Sequence, residues 1–270
     1  MAKKPVLTEY SITADNLNSP LCIALITDLH ERPCEDMLEL LKEAAPDIIA
    51  IAGDTLERYD IENVSDAEGK KPSFFKRLLL RTAYYINRFF MLLNRKNKPS
   101  DEKTYDFLRG ISKIAPVFMS LGNHEEKLLE EDISLINELG ITLLNNADAT
   151  FIYKCNTLVI GGLSSFYDEE WLRCFEKKDG YKILLSHHPI YYDTLIKEKK
   201  IDLVLSGHNH GGQIRVSGKG LFSSGEGIPP KYDKGVFGNR LVVSAGCANT
   251  VIIPRINNPR EILKIKINEK

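Results

Sequence analysis

Cysteine is the first thing this sequence lacks in any useful arrangement. Its five cysteines, at 22, 34, 155, 174 and 247, are odd in number, widely spaced and include no C-x-x-C pair. That excludes a disulfide framework and a thiolate zinc knuckle, and predicts reduced thiols in a cytosolic setting that serve as small buried hydrophobes. Long apolar runs are missing too: nowhere do roughly 18 apolar residues follow one another, as a membrane-spanning helix requires. The opening Met1-Ala2-Lys3-Lys4 leads into polar residues without an apolar h-region, so neither a signal peptide nor a transmembrane helix is expected. Charge of one sign is not in excess. With 36 basic and 37 acidic residues the net charge is −1, which predicts no general affinity for nucleic acid. Internal repeats and low-complexity tracts are absent. The 270 residues, 43% of them hydrophobic, suit one large α/β domain or two small ones with a sizeable core.

Histidine is scarce, and all of it is confined to four short segments. These are Asp28-Leu29-His30, Gly122-Asn123-His124-Glu125, Ser186-His187-His188-Pro189 and Gly207-His208-Asn209-His210-Gly211-Gly212-Gln213. A fifth segment, Gly53-Asp54, supplies a carboxylate of the kind such histidines work with. Imidazoles gathered with Asp, Asn and Gly point to a metal site. The donor set of ring nitrogen, carboxylate and amide oxygen suits Mn, Fe, Zn or Co better than a structural cysteine-type zinc.

Apolar runs lead into these segments: Leu21 to Thr27, Ile48 to Ala52, Val117 to Leu121, Ile183 to Leu185 and Leu203 to Leu205. Each is short, rich in branched residues and nearly continuous, as strands buried on both faces are. Helical patterns lie between several of them, at Glu35 to Ala44 and Glu125 to Leu139, which predicts an α/β sandwich with a parallel or mixed sheet. Ligands in such sheets collect at the carboxyl ends of strands, where Asp28, Asp54, Asn123, His187 and His208 all fall. Residues two apart on a strand point the same way, so Asp28 and His30 can grip one ion. Residues 218 to 238 are rich in Gly and Pro and read as a long ordered loop. Beyond it, Leu241 to Ala245, Val251 to Ile253 and Ile262 to Ile267 read as strands closing a second sheet.

One stretch stands apart in charge. From Lys70 to Ser100 there are nine Lys or Arg and no acid, which leaves 27 basic against 37 acidic residues elsewhere, a balance of −10. Phe75, Leu78, Leu79, Thr82, Tyr85, Ile86, Phe89, Phe90 and Leu93 recur there at helical spacing, with Arg77, Arg81, Arg88 and Arg95 on the other side. Such a helix either lies in an anionic membrane interface or packs its apolar face on the domain and solvates its basic face.

Taken together and in this order, D-x-H, G-D, G-N-H-E, H and G-H-N-H resemble the calcineurin-like metallophosphoesterases. The resemblance covers roughly residues 20 to 268. The G-H-N-H-G-G-Q extension, the Gly-rich loop and the closing Pro254-Arg255-Ile256-Asn257-Asn258-Pro259-Arg260-Glu261-Ile262 run are similar to the bacterial phosphoesterase branch, several members of which act at or near membranes. It implies a four-layer sandwich of two mixed β-sheets flanked by helices, formed as one metallophosphoesterase domain over residues 1–270 with the basic amphipathic segment inserted at about 66–102. It also implies two divalent metal ions, Mn foremost with Fe, Zn or Co as alternatives, about 3.5 Å apart. Asp28, His30 and His210 would hold the first metal, Asn123, His187 and His208 the second, and Asp54 would bridge. His124 would be the catalytic histidine that protonates the leaving oxygen after attack by a hydroxide held between the metals. Either Glu125 or a backbone carbonyl would orient it.

The expected activity is therefore hydrolysis of a phosphate mono- or diester. The basic segment favours a membrane-derived or lipid-linked substrate, such as a phospholipid or a nucleotide-lipid pyrophosphate, and a cytoplasmic protein peripheral to the inner face of a membrane. A catalytically silent scaffold of the same fold and a nuclease of the same superfamily are the alternatives. Complete ligands and an intact His124 argue against the first, and the −10 balance against the second. His188 reads equally as structural or substrate-facing. Trp171, with Phe166, Tyr167 and Phe175, reads as core rather than groove, and Gln213 has no assigned role.

Overall fold

The computed structural model describes residues 4–32, 34–58, 82, 85, 99–125, 127–223, 226–251 and 253–270. Most of the basic amphipathic pattern, apart from Thr82, Tyr85, Pro99 and Ser100, lies outside them. Two six-stranded sheets form the body. The first contains β1 (Val6–Ala14), β2 (Leu21–Ile26), β3 (Ile48–Ala52), β4 (Val117–Ser120), β5 (Thr142–Leu144) and β14 (Glu261–Glu269), in the order β1-β14-β2-β3-β4-β5. The second contains β6 (Ala147–Tyr153), β7 (Asn156–Leu163), β8 (Tyr181–Ser186), β9 (Leu203–Ser206), β12 (Gly235–Phe237) and β13 (Leu241–Val243), in the order β12-β13-β9-β8-β7-β6. A two-stranded ribbon of β10 (Arg215–Val216) and β11 (Lys219–Gly220) lies in the Gly-rich region.

Both sheets are mixed. β2, β3, β4 and β5 run parallel, as do β7, β8, β9 and β13, while β14 is antiparallel to β2 and β6 to β7. The runs of branched residues in β3 and β9 are buried throughout because one face of each strand meets the other sheet and the opposite face is covered by helices. Leu25, Ala50, Phe118, Ile160, Leu185 and Leu205 meet in the layer between them. Helices α1 (Glu35–Ala44), α2 (Asp101–Ile111) and α3 (Glu130–Glu138) contribute Met37, Leu41, Phe107, Leu108, Ile111 and Ile136 to a second core, shared with β2, β3 and β4 on the outer face of the first sheet. A third core joins β8 and β9 to α4 (Glu169–Phe175) and the π-helical turn Tyr192–Ile196. The result is the expected four-layer α/β sandwich.

Local chemistry explains the helix ends. Glu35 and Asp36 occupy the first turn of α1, favourable at the positive end of a helix dipole, and Ala45 closes it in the left-handed region. Ser100 caps α2 through its hydroxyl, and Asp168 caps α4 by accepting from the amides of Glu170 and Trp171. Trp171 stacks on Phe175 at the edge of the third core, in keeping with core packing.

Three expectations are corrected. The helix anticipated from Glu125 begins at Glu130, because the Glu125 carboxylate accepts backbone amides of neighbouring loops and the Asp132 carboxylate accepts the Leu129 amide at the true start. Neither Val251 nor Ile253 is in a strand: the Asn249 side chain takes the Val251 carbonyl, and Gln213 takes that of Ile253. The closing strand β14 joins the first sheet, not the second, inserted between β1 and β2. Among the described residues no helix is long and apolar enough to cross a membrane.

Candidate metal centre

Because β2, β3 and β4 run parallel in one sheet, and β8 and β9 in the other, their carboxyl ends deliver Asp28, Asp54, Asn123, His187 and His208 to one edge of the sandwich. Backbone hydrogen bonds join the loops. Asp28 N donates to Gly53 O (3.1 Å) and His30 N to Asp54 O (2.9 Å), which ties the loop after β2 to that after β3. Gly207 N donates to His187 O (3.1 Å), and Cys247 N to Thr27 O (2.9 Å).

Strand alternation is not what pairs Asp28 with His30. Strand β2 ends at Ile26, and both residues lie beyond it with left-handed backbones, φ 56° and 49°. Asp54, His208 and His210 share that conformation, with φ of 56°, 70° and 45°. Each such non-glycine residue costs on the order of 1–3 kcal/mol, strain that collects at functional sites. Glycine allows the closest approaches. An added Cβ on Gly122 would sit 2.0 Å from Asp54 Oδ1, and one on Gly207 would sit 2.6 Å from Asp28 Oδ2.

Three groups of donor atoms result: Asp28, His30 and His210; Asp54, His187 and His208; and His30, Asp54 and His124. His210 Nε2 lies 3.7 Å from Asp28 Oδ1, and His187 Nε2 lies 3.1 Å from Asp54 Oδ2. Asp54 Oδ2 is also 3.6 Å from His30 Nε2 and 4.0 Å from His124 Nε2, which puts this one carboxylate oxygen between the histidines of both sides. Asn123 occupies the turn after β4 between Gly122 and His124. Asp28 Oδ2, His30 Nε2 and Asn123 Oδ1 are all buried with no hydrogen-bond partner. Buried polar atoms are rarely left unpaired, and unpaired ones that converge in this way fit divalent cations.

Charge separates the site histidines into two groups. Burial pushes His208 down to about 4 and His210 to about 3, so both are neutral, ligand-competent imidazoles near neutral pH. Burial acts the same way on His187 and His124, but nearby carboxylates outweigh it, Asp54 foremost, joined by Asp28 beside His187 and Glu57 beside His124, and raise them to about 9 and about 10. Burial would raise Asp54, yet the surrounding histidines hold it well below the usual carboxylate range.

Around these groups lies a supporting shell that sequence reasoning missed. Glu57 accepts from His30 Nδ1 and His124 Nδ1, both at 2.9 Å, one with each carboxylate oxygen. It orients His124 where Glu125 or a carbonyl was expected. Glu125 instead accepts the amides of Gly122, Asp54, Thr55 and Leu56 at 2.8–3.0 Å and so fixes the loop after β3. His187 Nδ1 lies 2.8 Å from the Ala52 carbonyl, leaving Nε2 for the site. Arg255 Nη2 is 3.1 Å from His210 Nδ1 and also donates to the Ala248 carbonyl. His188 lies against His208, ring centroids 4.3 Å apart, with its Nε2 3.0 Å from Ser165 Oγ. Gln213 gains a role as an anchor, donating to Asn249 Oδ1 at 2.8 Å.

The family model described as calcineurin-like phosphoesterase matches residues 22–212, a span that includes every candidate ligand. The chain belongs to the calcineurin-like phosphoesterase family. This calcineurin-like phosphoesterase is therefore a metal-dependent phosphoric ester hydrolase. YpbG of Bacillus subtilis is 26% identical over 214 residues, an alignment covering 77% of this chain and 68% of YpbG. An uncharacterized metallophosphoesterase of Aquifex aeolicus is 26% identical over 279 residues, covering 97% of this chain and 91% of its own. Phosphodiesterase YaeI of Escherichia coli is 25% identical over 173 residues, covering 60% of this chain and 62% of YaeI, so this chain spans less than two thirds of that relative.

Proposed function

We propose that this calcineurin-like phosphoesterase uses two divalent metal ions, Mn foremost, to hydrolyse a phosphate mono- or diester at the edge shared by its two sheets. The observation that carries the reading is the pairing of two separate donor groups, Asp28–His30–His210 and Asp54–His187–His208, beside the unpartnered oxygen of Asn123. Asp28, His30 and His210 would hold one ion and Asn123, His187 and His208 the other, with Asp54 shared between them. Bound metal ions supply Lewis acidity, which neutralises phosphoryl charge and makes water a competent nucleophile near neutral pH.

The chain's own residues do the rest. Glu57 holds His124 by Nδ1, leaving Nε2 to deliver a proton to the departing alkoxide. Glu125 fixes the backbone of Asp54 by accepting its amide, so the carboxylate keeps its place as charge develops. Burial of Asp28, His30, Asp54 and His187 excludes bulk water from the ligand side of the site. The diester option is supported by the likeness to phosphodiesterase YaeI. A membrane-derived or lipid-linked ester is supported by the acid-free run of nine cations between Lys70 and Ser100.

The test is hydrolysis of bis-p-nitrophenyl phosphate and p-nitrophenyl phosphate by metal-stripped protein, with Mn, Zn, Co and Mg restored singly. Metal-dependent turnover that is lost in both His124→Ala and Asp54→Asn is the expected result. No turnover with any metal in protein that binds two ions would sink the reading.

A further inference from the structure

A histidine that ligates a metal through Nε2 keeps its one ring proton on Nδ1, so the group behind Nδ1 has to accept a hydrogen bond. Three of the site histidines meet that condition. Glu57 stands behind Nδ1 of His30 and of His124, and the Ala52 carbonyl stands behind Nδ1 of His187. His210 does not. Its Nε2 is 3.7 Å from Asp28 Oδ1, while its Nδ1 lies 3.1 Å from Nη2 of Arg255. A guanidinium has five N–H donors and no acceptor. The bond to Arg255 therefore exists only when Nδ1 is bare and the ring proton sits on Nε2, the nitrogen that faces Asp28.

Arg255 is held in that place. It belongs to the closing run from Pro254 to Ile262, which is fastened to the His210 turn at several points. Ile256 N donates to Gln213 O (3.3 Å), Arg215 N to Ile256 O (3.0 Å) and Asn258 Nδ2 to His210 O (2.7 Å). The guanidinium itself donates through Nη2 to the Ala248 carbonyl and through Nη1 to that of Gly246 at 3.4 Å, while its Nε is buried with no hydrogen-bond partner. Burial lowers Arg255 to about 10, so it is still a cation near neutral pH, and among its neighbours Asp28 does most to favour the charge. Arg255 and a divalent ion thus compete for the same imidazole and for the same carboxylate.

We propose that Arg255 is a positioning residue that holds the first metal site, Asp28–His30–His210, at reduced affinity, because His210 ligates only after its ring gives up the Arg255 hydrogen bond. The proposal rests on the two-metal reading and adds a regulation of that centre: occupancy of the first site, and turnover with it, becomes sensitive to metal supply.

The experiment is titration of the metal-stripped full chain with Mn at a single pH, free Mn being read from its electron paramagnetic resonance signal. Arg255→Gln removes the cation and leaves an amide that can accept from Nδ1 while donating to the Ala248 carbonyl. One of the two bound ions should then be held about tenfold more tightly, the lower end of what a partner behind a ligating histidine is worth, with the other unchanged. Arg255→Met, which also lacks the donor, should act in the same sense. Arg255→Lys keeps a charged donor and should stay close to wild type. In a His210→Ala background Arg255→Gln should bring no gain.

A merely structural arginine would loosen binding when replaced, so weaker or unaltered Mn affinity in both Arg255→Gln and Arg255→Met overturns the proposal. A gain of equal size in Arg255→Lys, or one that persists without His210, overturns it as well, since neither runs through the hydrogen bond. Wild type that binds fewer than two Mn defeats the two-metal reading and this proposal with it. Wild type that binds two ions, with the tightening seen in Arg255→Gln, but hydrolyses no ester supports the role of Arg255 and defeats the catalytic reading alone.

Discussion

Glu57 restrains two histidines with one carboxylate, so its loss is felt at both His30 and His124. Replacing it with Gln should lower kcat by about 10- to 100-fold, the usual effect of removing a carboxylate behind a site imidazole. Steady-state turnover of p-nitrophenyl phosphate at saturating Mn measures this; full activity in a folded variant would deny Glu57 its positioning role. Gly122→Ala tests the closeness of packing. Its Cβ would fall 2.0 Å from Asp54 Oδ1, so the carboxylate has to move, and metal content measured by elemental analysis should drop. Unaltered metal content would show that Asp54 does not depend on this approach. Residue spacing made the candidate ligands legible in the sequence because D-x-H, G-D, G-N-H and G-H-N-H are local patterns. Glu57 carries no such signal: it reaches His30 across 27 positions and His124 across 67, and only the packing of the loops brings them together.

Helix α3 is joined to the loop after β3 through Arg58, whose guanidinium binds Asp132 by Nε (2.7 Å) and Nη2 (2.8 Å) and Glu31 by Nη1 (2.6 Å). Tyr105 of α2 adds its hydroxyl to Asp132 at 2.6 Å. Burial opposes ionisation of Asp132, but Arg58 and Tyr105 prevail and lower it from the usual 3.8. A lowered acid stabilises the fold fully above its unfolded value and loses that contribution as pH falls through the folded one. Urea unfolding of wild type should therefore weaken as pH falls below 3.8, and more so than that of Asp132→Asn. Near neutral pH the Asn variant should be less stable by about 3 kcal/mol, since it leaves a buried guanidinium short of its partner. Equal stabilities would show the pair to be isoenergetic with its neutral replacement. Strands were the most legible elements, because β3 and β9 are unbroken apolar runs that only two-sided burial explains. The start of α3 was not: apolar periodicity continues through Leu128 and Leu129, and the boundary is set instead by where Glu125 and Asp132 spend their carboxylates.

For the molecule as a whole, ligands that bind only the folded state stabilise it by mass action. Mn at about 100 times its dissociation constant should add about 2.7 kcal/mol per site, a rise in Tm of about 5 °C or more that a chelator reverses. A Tm indifferent to both would contradict a preformed metal centre. Layer order was legible from the alternation of runs and helical patterns, whereas the placement of β14 was not, since a strand's own residues do not name its neighbours. That placement bears on how the protein is made. Among the described residues β1 pairs along its whole length with β14 alone, Val6 with Glu261 through Ala14 with Glu269, so the earliest described strand to leave the ribosome finds its partner among the latest. Contacts so distant in sequence are slow to close. During that wait β2, which supports Asp28, presents an unpaired edge, and the nascent chain is most exposed to misassembly until β14 arrives.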